Sequence, residues 1–329
     1  MSAFTQFVLS RSERVGLPIL TYPGAALTGA TVRDMVTDAS AQVAVQAALH
    51  QRHPSLFALA AMDLSAEAEA FGSEVIMGDH EVPTVMGRRV SSREEAEALA
   101  VPEPGACRTR VCLEAVRQLK QLPGRQFVFA GMVGPFSLAA RLYDVSEALG
   151  LTIQDPDLMH LLLEKSTQFL RSYALAFKAA GADGVIMAEP TAGLLSPRAL
   201  ATFSAAYIRQ IVAAVDDEQF TLILHNCAAK LVHLPSLLSS GAQVLHFGSP
   251  MDLPAALGQA PPEIILCGNL DPTNVFFRST PPEVFSAARK LMDAARPHRN
   301  FVLSSGCDVP PRTPLANIDA FYQALAEPL

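Results

Sequence analysis

Three side chains carry the chemistry this sequence can do: His225 and Cys227 in LILHNC, and Cys307, well downstream, in LSSGCDVPP. Alternate residues of a strand share a face, so His225 and Cys227, two apart at the end of an apolar run, project side by side. Two sulfurs and one imidazole nitrogen suit zinc, and three protein ligands leave a fourth position open, the arrangement of a catalytic rather than a structural site. The bland alternative is that each cysteine is a small core residue. H-x-C alone does not separate the two; what favours the metal is that both segments lead into Gly-, Pro- or Asp-rich loops. The expected chemistry is thiol activation, because a free thiol with a pKa of about 8.5 is mostly protonated at neutral pH, whereas a thiol on zinc loses its proton.

The elements that must position these residues repeat along the chain. Short apolar runs begin at Gly16 (GLPILTY), Leu56 (LFALAAMD), Phe127 (FVFAGMVG), Gly184 (GVIMAEP), Phe220 (FTLILHNC), Val244 (VLHFGSP), Glu263 (EIILCGNLDP) and Phe301 (FVLSSGC). Between them lie stretches whose apolar residues recur three and four apart, such as the one from Leu158 that stops at Gly181. Consecutive apolar strands alternating with helices imply a parallel sheet covered on its outer face, and eight such units close a (β/α)8 TIM barrel, an α/β fold. The segment from Phe71 to Val90 breaks the rhythm and is expected to form a small β-hairpin excursion around Gly78 and Pro83, near the barrel mouth. Pro102 to Pro104 read as a linker and Cys107 to Leu122 as a helix. No composition shift divides the chain, so residues 1–329 are expected to form one domain.

Half of the 329 residues are apolar, enough for a large core. No run is long enough to span a bilayer and the first residues lack the pattern of a signal peptide, so a soluble cytoplasmic protein without a membrane partner is expected. Five cysteines, odd in number and widely spread, argue for reduced thiols rather than a disulfide framework. A formal charge of -7 offers no basic patch for nucleic acid.

Barrel enzymes place their sites at the C-terminal ends of the strands, where His225, Cys227 and Cys307 fall. Asp63, Glu189, Asp252, Asn269 and Asp271 fall on the same rim. His246 has the parity to point inward, as a hydrogen-bonded core histidine or as support for a ligand. Cys267 reads as core, and Cys107 and Cys112, five apart on one helix, do not form a metal pair. Gly131 and Gly134 let backbone approach the mouth closely, against a neighbour or a planar ligand. Met62, Met132 and Met187 read as core filling, with a large cofactor cavity as the other reading.

The order of GADGVIMAEPTAGLLSP, LHNCAAKLVHLPSLLSSGAQVL, CGNLDP and LSSGCDVPPRTPLANIDAF resembles the uroporphyrinogen decarboxylase superfamily, and AMDLSAEAEAFGSEV resembles its early D-x-x-x-E-A-E-x-F-G motif. The H-x-C with a distant Cys is similar to the zinc methyltransferase branch, the methylated-corrinoid:coenzyme M methyltransferases and their relatives. The resemblance implies Zn2+ on His225, Cys227 and Cys307, a thiol or small methyl donor as substrate, and a corrinoid (cobalamin) carried by a partner protein, since no D-x-H-x-x-G motif occurs in the chain. It also implies an acid near the sixth run, where this chain has Gly248 and Ser249. Glu189, in the AEP turn, stands as a ligand or proton acceptor, or equally as a helix cap. Arg312 is a candidate for an acidic group on the acceptor. The other enzymatic reading is a tetrapyrrole decarboxylase, whose arginine-rich motif after the first strand would neutralise the substrate's carboxylates; LTYPGAALTG has no arginine there. Arg11 and Arg14 precede that strand and read as surface charges. A corrinoid-binding module without activity is the third reading.

Overall fold

The computed structural model describes residues 1–53, 55–124 and 126–328. In chain order the strands are β1 (Val15–Gly16), β2 (Phe57–Leu59), the pair β3 (Glu74–Ile76) and β4 (Thr84–Met86), then β5 (Phe127–Val133), β6 (Gly184–Ala188), β7 (Thr221–Asn226), β8 (Val244–Phe247), β9 (Ile265–Leu270) and β10 (Phe301–Ser305). All but β3 and β4 join one parallel sheet in the order β1-β10-β9-β8-β7-β6-β5-β2, and each of the eight apolar runs supplies one of its strands. The sheet curls into the expected (β/α)8 barrel, with β1 and β2 at the two ends of the ladder. At that seam a side chain does the pairing: the Gln46 amide donates to the Leu20 carbonyl at 2.9 Å and accepts the Leu59 N–H at 3.1 Å, so both buried backbone groups are met. β3 and β4 form the expected antiparallel hairpin, tied back to the body by Arg33, which donates to Asp79 at 2.7 Å.

Strand alternation divides the apolar residues into two cores. One lies between sheet and helices and takes in Met132 and Met187, both fully buried. The other fills the barrel with Leu17, Ile19, Leu59, Phe129, Ile223, Val244, Ile265 and Val302. Its lower end is plugged by the helix Ala3–Ser10, whose Phe4 ring meets Phe57, Phe127 and Phe129 edge-on at 5.9, 5.5 and 5.3 Å. Going up each strand by two, the inward residues become His225 above Ile223, His246 above Val244, Cys267 above Ile265 and Ser304 above Val302. The barrel is therefore apolar below and polar near its C-terminal mouth. Cys267 is part of the core, and burial pushes its thiol pKa up.

Two local expectations are corrected. The helix expected over Cys107–Leu122 runs Thr109–Leu119, because Cys107 takes a φ of 49°, outside the helical region. Cys107 is exposed and Cys112 buried, so they do remain apart. Arg14 is not a solvated surface charge: its guanidinium donates to the carbonyls of Ala295, Arg296 and His298 at 2.8, 2.8 and 2.6 Å, capping the end of the helix Pro281–Ala294. Arg11 pairs with Glu13 at the surface.

Candidate metal centre

His225 sits on β7 with Ala188 of β6 and His246 of β8 as its neighbours in register. Cys227 follows that strand, Cys307 follows β10, and one ligand atom from each of the three residues lies within 4.8 Å of the other two. Glycine makes this convergence possible. A Cβ on Gly248 would stand 2.1 Å from the Cys227 carbonyl oxygen and 2.7 Å from its Cα, and a Cβ on Gly306 would stand 3.0 Å from Ser249 N and 3.1 Å from Gly248 Cα. The ends of β7, β8 and β10 thus close on each other through two bare backbones. Next to Cys307, the half-buried Asp308 carboxylate accepts the Thr21 N–H at 3.2 Å and its hydroxyl, which ties the cysteine's loop to the extension of β1. Burial pushes Asp308 up to about 7.

The donor set has the character a metal needs. Among the described residues the buried His225 Nε2 has no hydrogen-bond partner, an omission that costs about 1–3 kcal/mol in a protein interior unless something else satisfies it. Cys227 and Cys307 share a hydrogen bond; that bond pushes the Cys227 pKa down, while Cys227 and burial push Cys307 up. The two thiols therefore titrate as a pair rather than one by one. One imidazole lone pair and two sulfurs on a half-buried rim fit zinc with an open fourth position. Behind them, His225 Nδ1 lies 2.8 Å from His246 Nδ1, His246 Nε2 lies 2.8 Å from Ser304 Oγ, and Ser304 donates to the Leu17 carbonyl. Burial pushes His246 well below the usual imidazole pKa.

The other rim residues are not brought into this cluster. Glu189 is fully buried, and its carboxylate accepts the N–H groups of Phe136 and Ser137, each at 2.8 Å, and the Ser204 hydroxyl at 3.1 Å. It caps the helix Pro135–Tyr143, and a Cβ on Gly134 would come within 2.6 Å of its Cδ. Burial raises its pKa, and these hydrogen bonds pull it back. Asp252 and Asp271 cap the helices that follow them. Asn269 donates to the carbonyls of Gly248 and Met251 at 3.0 and 2.7 Å, pinning the loop after β8. Gly131 packs against the Met62 backbone, 3.0 Å from its Cα to a Cβ, and Arg312 is exposed. Sequence reasoning missed Ser304, Gly306 and Asp308; the signal was there in the parity of FVLSSGC, where Val302, Ser304 and Gly306 share the inward face.

Asp63 is held by Arg108, which also bonds Glu69 at 2.8 Å. Glu67 beside them accepts the Val133 N–H at 2.9 Å through one oxygen, has no partner for the other among the described residues, and is pushed up by burial to about 7 from 4.5. A raised carboxyl pKa stabilises the fold below the unfolded value and loses that contribution as pH rises through about 7. Glu67→Gln cannot ionise, so it should raise the stability at pH 8 by up to about 3 kcal/mol, from a shift of this size, with little effect at pH 4. Denaturant titrations at the two pH values check this; equal effects at both would show that Glu67 carries no such shift.

A family model described as uroporphyrinogen decarboxylase (URO-D) matches residues 19–328. The chain is 29% identical over 265 residues to the methylcobamide:CoM methyltransferase MtbA of Methanosarcina mazei, covering 79% of this chain and 76% of that protein. It is 28% identical over 288 residues to a uroporphyrinogen decarboxylase of Pseudomonas paraeruginosa, covering 84% and 80%. Among solved structures, a methyltransferase from Methanosarcina mazei superposes with a TM-score of 0.88 at 22% identity, covering 98% of this chain and 96% of that one. Among the described residues, no helix is long and apolar enough to cross a membrane.

Proposed function

The chain belongs to the uroporphyrinogen decarboxylase family, and on that premise we propose that it is a zinc-dependent methyltransferase, moving a methyl group between a corrinoid cofactor and a thiol or small methyl donor. The observation that carries this reading is the unpartnered His225 Nε2 with the sulfurs of Cys227 and Cys307, all within 4.8 Å, at the mouth of the barrel. Zinc held there would supply deprotonation of the substrate thiol at neutral pH and a fixed direction for its sulfur. The chain's own work is positional. The apolar layer below the site closes the barrel from beneath, so substrate reaches the sulfurs only from the mouth. Glu189 contributes through its backbone and its cap: its N–H donates to the His225 carbonyl at 2.8 Å, and its carboxylate anchors the neighbouring helix, so it steadies the ligand strand without touching substrate.

The relatives named for methylcobamide and CoM support a corrinoid and a thiol as the reactants, with the corrinoid on a separate partner protein. Five free cysteines suit a reducing cytoplasm. The test is to load the full chain with zinc, add free methylcobalamin and a panel of thiols, and follow loss of the methyl–cobalt absorbance. Transfer that requires zinc, thiol and corrinoid together is expected. Carbon dioxide release from a porphyrinogen with no methyl transfer would overturn the reading in favour of decarboxylation.

A further inference from the structure

Level with His225, across the barrel above its apolar core, runs a chain of polar groups that neither a methyl transfer nor a decarboxylation requires. His246 and Ser304 are fully buried, as is Leu17. Burying two polar side chains in that layer is unfavourable unless each is fully hydrogen-bonded, and here each is. A carbonyl only accepts, so the Ser304 hydroxyl proton is committed to the Leu17 oxygen. Ser304 Oγ is then an acceptor toward His246 Nε2, 2.8 Å away, which must carry a hydrogen. A neutral imidazole protonated at Nε2 has its lone pair at Nδ1. That lone pair faces His225 Nδ1 at 2.8 Å, so His225 carries its proton on Nδ1. The remaining nitrogen of His225, Nε2, is left with a lone pair, and it is the buried atom that has no partner.

We propose that Leu17, Ser304 and His246 form a fixed donor relay that locks His225 in the Nδ1–H tautomer and so presents its Nε2 as a ready metal ligand before any metal arrives. The proposal rests on His225 being a zinc ligand. His246 is a positioning residue: it touches neither metal nor substrate and acts through His225. The direction of the relay is set by the one group that cannot reverse, the backbone carbonyl of Leu17. A ligand histidine usually gives its second N–H to a carboxylate, a carbonyl or water, and loss of that partner weakens metal binding roughly 10–100-fold. A second imidazole does the same task here with no negative charge, which leaves the charge of the site to the two sulfurs.

The relay makes three separable predictions for the full chain. First, in protein labelled with 15N histidine, long-range proton–nitrogen correlation should find His246 protonated at Nε2 and bare at Nδ1, and His225 protonated at Nδ1, both before and after zinc is added. Second, competition with a zinc chelator should show His246→Leu, which keeps bulk but offers no acceptor, binding zinc roughly 10–100-fold more weakly. His246→Asn places an oxygen near the former Nδ1 and should recover most of that loss, which a pure packing role would not produce. Third, Ser304→Ala frees His246 to take the other tautomer and should weaken zinc binding while the melting transition stays cooperative. A wild-type protein with no affinity for zinc would remove the premise. A wild type that binds zinc, together with a His246 protonated at Nδ1 or with His246→Leu binding as tightly as wild type, would overturn the relay and leave the metal site standing.

Discussion

Cys227→Ala or Cys307→Ala should each leave a folded barrel that no longer holds stoichiometric zinc and no longer transfers a methyl group. Structural zinc sites bind with roughly 10–16 kcal/mol spread over four ligands, so one ligand is worth about 3–4 kcal/mol, or roughly a 100- to 1,000-fold loss of affinity. The barrel should survive because both thiols are half-buried above the core rather than within it. His225→Ala removes a ligand too, and it also strips His246 of the donor its Nδ1 faces, so it should cost more stability than either cysteine change. Elemental analysis after dialysis, with circular dichroism to confirm the fold, decides the matter. Full zinc content in either cysteine variant would show that the ligand set is wrong.

Much of the barrel was legible in the sequence because its strands are buried on both faces, and such strands announce themselves as short continuous apolar runs. The proximity of the three candidate ligands was legible for a related reason: parity placed His225 and Cys227 together, and the barrel brought the end of β10 to them. What stayed hidden depends on contacts between distant segments. Gln46 looks like any polar residue on a helix until Leu20 and Leu59 are seen on either side of it. Arg14 reads as a surface charge because its carbonyl partners lie at the other end of the chain. Glu189 stood as a ligand or proton acceptor, or equally as a cap, and its contact with the helix start beside Gly134 is something composition does not reveal. Cys107 fails as a helix residue through its φ, a property that no apolar pattern carries.

Gly248 is where the sequence posed a question that the structure answers, and it yields the second large effect. An acid was expected near the sixth run, and glycine stands there instead. A carboxylate at this position is excluded by space: the first side-chain carbon would already lie 2.1 Å from the Cys227 carbonyl oxygen and 2.7 Å from its Cα. Both are backbone atoms, so no rotamer relieves the conflict, and Cys227 itself must move. Gly248→Ala should therefore open the ligand triangle and lower zinc affinity about as much as loss of a ligand, at a cost of roughly 1–3 kcal/mol in stability, typical of overpacking. Gly248→Asp should do worse rather than add a fourth ligand. Ser249→Ala is the control, because that side chain is exposed and, among the described residues, bonds only Asp271, at 3.4 Å; its zinc affinity should match wild type. Chelator competition on the three variants separates the outcomes. If Gly248→Asp bound zinc as tightly as wild type or more so, an acid would have a place in the coordination sphere, and the contact between Gly248 and Cys227 would not be what holds the site closed.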